Sequence, residues 1–290
     1  MLPNFIAMKT LLLHIDFSDD SKACFHYAAH LAAQTQSKIT VFSAFALDIP
    51  AGANLHSYRE EIRAEKIRLE REFKKWLSTQ QLPNYENNDK SIYIDYHFEK
   101  GNFIEEAKKV CSQVKADLFI TTAKSKVGEM GIQTNQDHVQ LLKHACCPLL
   151  IVPSGFQYEH SKRITYAVSL YQEDHELIEK VHNMCAHINA KLQCLHISSR
   201  DKNIQQTEQL IQSFRDKMGN RDIPFQHQQS SDILHGLRDY SSQKDCDMLV
   251  MLFSEKSFFH KLFHVSKIKD MSTHSAVPLL LAKKTDTMPF

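Results

Sequence analysis

Glycine is scarce in this sequence, with seven among 290 residues. A chain that cradles phosphates on its backbone amides normally places glycine at the turns after its strands, where the missing Cβ lets the amides approach. The shortage therefore counts against a phosphate loop of the usual kind. Charge of one sign is missing too: 35 Lys and Arg face 34 Asp and Glu. That balance removes the overall signature of a nucleic-acid or anionic-membrane partner. No apolar run approaches the roughly 18 residues of a membrane span, and residues 1–8 lack the basic start and long apolar core of a secretory signal. The seven cysteines are an odd number, and the adjacent Cys146 and Cys147 are poorly placed for a disulfide framework. A soluble, cytoplasmic protein in a reducing compartment is expected.

What the sequence does have is a figure stated twice. Asp117-Leu118-Phe119-Ile120 opens a buried-type run, a polar crossing of about helix length follows, and a second apolar run begins behind Pro148. Asp247-Met248-Leu249-Val250 and Pro278 repeat it at the same spacing. Apolar run, crossing and apolar run look like strand, helix and parallel strand. Around this figure the first half alternates. Residues 9–15 form a strand ending at Asp16, with Ser18 placed to cap a helix over 23–33. A β-branched strand covers 39–45, a highly charged outer helix 57–80, and an alternating strand 91–98. Gly101-Asn102 opens a further helix. Regular alternation of this kind predicts a parallel sheet with helices on both faces and right-handed crossovers. After a short polar linker over 154–161, residues 163–168, 176–188 and 191–197 repeat the opening strand, helix and strand, and 224–228 reads as a weak third strand. Two domains are expected, 1–157 and 158–290, the second the smaller copy.

At this point the residues resemble the universal stress protein family in a tandem, two-copy form. The likeness rests on Asp16 after the first strand, Ala116-Asp117-Leu118-Phe119-Ile120, and His144-Ala145-Cys146-Cys147-Pro148 before an apolar strand, with His274-Ser275-Ala276-Val277-Pro278 as a looser echo. It implies two Rossmann-like domains of the adenine nucleotide alpha hydrolase kind, each a five-stranded parallel sheet between helices. It also implies an internal pseudo-dimer, joined through Leu149 to Val152 and Leu279 to Ala282. Closed twofold association into a homodimer is the default beyond that.

One branch of the family binds ATP through glycines after the fourth strand and an aspartate after the first. Counted from Asp117, the glycine positions hold Thr122, Ser125 and Asn135-Gln136, with Gly128 nearby but off the spacing. Asp16 is kept, and with Val41 these residues make the candidate nucleotide set of the first half. In the second half the same count gives Leu252, Glu255 and Val265-Ser266, while Leu170 stands where the aspartate is expected. Glu255 would face phosphate charge. The resemblance thus implies a stress-response or regulatory binding protein without dedicated catalysis and without tight ATP binding. The alternative is a nucleotide switch or slow ATPase using the first half alone. The partner is a protein or small molecule of unknown identity, with neither nucleic acid nor membrane involved.

Other constellations compete with a simple packing role. His26 and His30 are four apart on one helix, as are His260 and His264 on a later stretch, while His182, Cys185 and His187 offer at most part of a zinc set. None carries a complete ligand pattern, and no metal is expected. Cys146 and Cys147 read as core packing or as a redox pair. Phe258, Phe259, Leu262 and Phe263 read as filling a vacated pocket or as an apolar patch.

Overall fold

The computed structural model describes residues 9–47, 54–84, 91–123, 136–158, 162–199, 203–219, 222–242, 246–253, 270–271 and 273–283. The first half runs β1 (Thr10–His14), α1 (Asp19–Thr35), β2 (Lys38–Phe45), α2 (Leu55–Leu77), β3 (Ile94–Lys100), α3 (Phe103–Val114), β4 (Leu118–Thr122), α4 (Gln136–His144) and β5 (Leu149–Val152). The second runs β6 (Arg163–Ala167), α5 (Gln172–His187), β7 (Lys191–Ser199), α6 (Ile204–Met218), β8 (Phe225–Ser230), α7 (Ile233–Ser241), β9 (Met248–Phe253) and β10 (Leu279–Lys283).

The repeated spacing has a hydrogen-bonding cause. Asp117 Oδ2 accepts from the amides of Lys9 and Thr10 at 2.8 and 2.9 Å, so the carboxylate that opens β4 also pins the start of β1. Asp247 Oδ2 does the same for Lys162 and Arg163, both at 2.8 Å. At the other end, the carbonyls of Pro148 and Pro278 each accept from a strand amide, Phe119 and Leu249, at 3.0 Å. Aspartate and proline thus mark the two places where β4 and β9 are tied to their neighbours.

Two separate five-stranded sheets are not what forms. The ten strands make one continuous sheet in the order β3-β2-β1-β4-β5-β10-β9-β6-β7-β8. Neighbours pair in parallel within each half, and β5 meets β10 antiparallel with Leu150 opposite Leu280. The correction has a physical reason. β5 and the first four residues of β10 are fully buried and apolar, so as free edges they would be templates for association. Pairing them with each other removes both edges.

Side-chain alternation assigns the two faces. Leu11, Leu13, Ile15, Ile39, Val41 and Ile120 pack with α1 and α2, and the same layer continues through α5 residues Leu177, Ile178 and Val181. Leu12, Phe42, Phe119, Leu149 and Ile151 pack with α3, α4 and α7 on the other face. The described part of the segment read as a linker, 154–158, packs back on α1. Tyr158 stacks on His30 with centroids 4.5 Å apart and meets Tyr27 edge-on at 5.2 Å. His30 is therefore engaged in packing. No described helix is long and apolar enough to cross a membrane.

Candidate functional site

In a doubly wound sheet, ligands bind outside the carboxyl ends of the strands where the winding direction reverses. Here the chain winds from β1 outward to β3 and then returns to β4 on the other side of β1, so the first switch point lies beyond β1 and β4. The second lies beyond β6 and β9. Both strand ends turn through a non-glycine residue with positive φ, Phe17 at 62° after β1 and Leu170 at 66° after β6. Bulky side chains rarely adopt that conformation, and such turns gather at functional sites. At Phe17 packing holds the turn, with the Trp76 and Phe98 rings 6.3 and 6.5 Å away.

The matched turns correct the alignment of the two halves. Phe17 corresponds to Leu170, so the counterpart of Asp16 is Ser169. One residue of slip separates the sequence count from the structure. A serine now stands where the first half has a carboxylate, and a carboxylate arrives from elsewhere. Fully buried Asp174, in the first turn of α5, accepts from Tyr166 Oη at 2.8 Å on one oxygen. Its other oxygen accepts from the Ser169 amide, the Ser169 hydroxyl and the Tyr171 amide at 3.1, 2.9 and 3.0 Å. Burial holds the Asp174 carboxyl above its ordinary value of 3.8, against the pull of those hydrogen bonds. The turn beyond β6 is tied shut on Asp174.

Asp16 is differently placed. One of its oxygens accepts from the Ser18 amide at 3.0 Å and the Ser18 hydroxyl at 2.5 Å, and Ser18 in turn caps α1 through the Ser21 amide. Burial pushes this carboxyl up, but the Ser18 hydrogen bonds and the neighbouring His14 outweigh it and leave it below 3.8.

On the α3 and α4 side of the same strand ends lies a polar cluster whose strand positions are apolar in the second half. His14 at the end of β1 is buried between Phe42 and Phe103, whose centroids are 6.4 and 4.9 Å away. Its register places it beside Thr121 of β4, beyond the Leu13 to Ile120 pair. From α4, buried His138 donates Nε2–H to the Thr122 carbonyl at 2.9 Å, which fixes the neutral tautomer with Nδ1 as an acceptor. His14 Nδ1, Thr121 Oγ1 and His138 Nδ1 are all buried without a hydrogen-bond partner. Burial pushes both imidazoles down to about 4; for His14 the Asp16 carboxylate opposes the shift and His138 adds to it. In the second half the corresponding strand positions are Ala167 and Met251, both buried and apolar. Sequence reading missed His14 and His138, and a histidine at the end of an otherwise apolar strand run is the signal that could have found the first.

The sequence-derived set comes together only in part. Asp16 reaches the first switch point, and Thr122 ends β4 there, 1% exposed. Val41 lies inside β2, paired with Leu13 and Tyr96, in the core under α1 and α2. Gln136 opens α4, while Ser125, Gly128 and Asn135 lie outside the described residues. So do Glu255, Val265, Ser266 and residues 258–264. Beside the second switch point, Leu170, His175, Glu176, Leu210, Phe214 and Lys217 line an open cleft of about 470 Å³, where His175 stacks on Phe214 at 4.0 Å.

The profile of the universal stress protein family matches residues 8–153, half of the chain. No curated protein matches with significance. Among solved structures, a universal stress protein from Archaeoglobus fulgidus is similar over 96% of this chain and 97% of its own, at 14% identity and a TM-score of 0.62. A functionally unknown protein from Pseudomonas aeruginosa is similar over 96% and 93%, at 13% identity and a TM-score of 0.59. At these identities the likeness is one of fold.

Proposed function

The chain belongs to the universal stress protein family, and from that premise we propose that it is a regulatory binding protein of the stress response that has given up tight ATP binding. The observation that carries this reading is the rebuilt second switch point. Ser169 stands there in place of a carboxylate, and the turn is closed on the chain's own Asp174 by four hydrogen bonds. In the first half, Thr122 keeps a Cβ where close amide approach would call for glycine, and an oxygen of Asp16 is engaged by Ser18. The two copies, 1–157 and 158–290, act in this reading as an internal pseudo-dimer.

A second reading rests on Asp16 itself, which is kept at the first switch point and held ionised by its surroundings. It makes the first half a nucleotide switch. Thermal unfolding with and without millimolar MgATP separates the two. A ligand present at a hundredfold excess over its Kd stabilises by about 2.7 kcal/mol, which moves a melting temperature by degrees. The expected result is no shift. A rise that Asp16→Ala abolishes would establish the switch and overturn the first reading.

A further inference from the structure

All seven cysteines are free thiols, and six are buried. Cys24, Cys185, Cys194 and Cys246 sit on α1, α5, β7 and the approach to β9. The other three converge. Cys111 lies near the end of α3, and Cys146 and Cys147 form the bend between α4 and β5. In an extended strand, adjacent side chains would point to opposite faces; the bend lets both sulfurs turn toward α3. Cys111 Sγ and Cys147 Sγ are 3.6 Å apart, and all three sulfurs lie within 4.8 Å of one another.

Those separations match a shared metal better than a disulfide, whose sulfurs would be about 2.0 Å apart. Zinc–thiolate bonds of about 2.3 Å place sulfurs about 3.8 Å apart in a tetrahedron and about 4.0 Å apart in a trigonal plane. Cys111 and Cys147 are 0% and 2% exposed and form the walls, while exposed Cys146 leaves an open side for the ion to enter and for a fourth ligand from solvent. Positive charge is close by. Lys283 of β10 donates Nζ to the Ala145 carbonyl at 2.5 Å, and Lys143 lies in the last turn of α4. Among the described residues this is the one group of three thiol, imidazole or carboxylate side chains gathered closely enough to share an ion.

We propose that Cys111, Cys146 and Cys147 bind one thiophilic d10 cation, Zn(II) or Cu(I), as a three-thiolate site beside the seam between β5 and β10. Each S–H bond breaks as its S–metal bond forms, and the protons go to solvent, so binding weakens as pH falls. Soft thiolate ligands select these two ions over Mg(II) and Ca(II).

The test uses the full chain, reduced, stripped of metal and kept under anaerobic conditions. Zn(II) and Cu(I) are titrated separately against competing chelators, and Co(II) reports the thiolate count through its sulfur-to-metal charge-transfer band. One equivalent is expected to bind, and protection of Cys146 from iodoacetamide should follow the same curve. Cys146→Ser, at an exposed position that leaves the core intact, is expected to weaken binding on the order of 100-fold and to reduce the charge-transfer band by about a third. A trigonal site prefers Cu(I), whereas a site completed by water holds Zn(II), and the two titrations tell which. Failure of both ions to bind, or binding that Cys146→Ser and Cys111→Ala leave unchanged, overturns the proposal.

Discussion

Lowering the pH from 6.5 toward 4 is expected to remove about 3 kcal/mol of folding stability for each of His14 and His138. In the unfolded chain both imidazoles titrate near 6.5, and in the folded chain burial pushes them down to about 4. Between those values the unfolded state holds protons that the native state does not. Stability therefore rises with pH across the window and is lost on acidification, levelling off once the folded groups also protonate. A displacement of two to three pH units at 1.36 kcal/mol each sets the size of the loss. Within the cluster the Asp16 carboxylate offsets only part of the cost at His14, and a charge on His138 adds to it.

The comparison that isolates the pair is denaturant unfolding of the wild type against His14→Leu and His138→Gln at several pH values. Leucine follows the second half, where Ala167 occupies the matching apolar position, and glutamine keeps an Nε2–H donor for the Thr122 carbonyl. Exposed histidines and carboxylates contribute equally to all three proteins and cancel in the difference. Each variant should be less acid-sensitive than the wild type by about 3 kcal/mol at pH 4. Parallel pH profiles would show that neither histidine is buried in neutral form.

The fold was legible in the sequence where a constraint is local or repeated. Asp117 and Asp247 clamp the starts of β1 and β6, and Pro148 and Pro278 present the carbonyls that begin the β4–β5 and β9–β10 pairings, so the repeated spacing had a backbone cause. The seam was legible through the resemblance, which named Leu149 to Val152 and Leu279 to Ala282 as the joining strands; their antiparallel register, with Leu150 opposite Leu280, was not. The candidate site was legible at Asp16 but not at its counterpart. The sequence comparison set Leu170 against Asp16, while the left-handed turns at Phe17 and Leu170 match Asp16 to Ser169. A position's φ is invisible in the side chains alone. The thiol cluster was half visible, in Cys146 and Cys147; Cys111 joins them only because α3 and α4 pack on one face. Val41 belonged to the candidate set, and its side chain packs in the core layer under α1 and α2.

Asp174→Ala is expected to destabilise the protein by about 3 kcal/mol. The carboxylate accepts from four donors at once, and its removal leaves the Tyr166 hydroxyl, the Ser169 amide and hydroxyl and the Tyr171 amide without it. A buried donor left unsatisfied costs about 1 to 3 kcal/mol, so four would exceed the expected loss. Two effects reduce it: water can enter the space left by the side chain, and removing a buried carboxyl relieves the desolvation that holds it above 3.8. Asp174→Asn keeps one oxygen for the backbone donors and loses the charge, and its cost should be about 1 kcal/mol. The pH dependence runs opposite to that of Asp16. For Asp174 the native state binds its proton first, so wild-type stability relative to Asp174→Asn increases as pH falls from neutral toward 3.8. For Asp16 the native state releases its proton first, and its contribution, present above 3.8, is lost as pH falls. Two matched turns of one repeat thus respond to acid with opposite sign, because one carboxylate enters its turn from α5 and is fully buried while the other follows its strand and is partly solvated. Equal stability of the wild type and Asp174→Ala by denaturant unfolding would mean that the turn beyond β6 does not depend on this carboxylate, and the case against nucleotide in the second half would lose its main support.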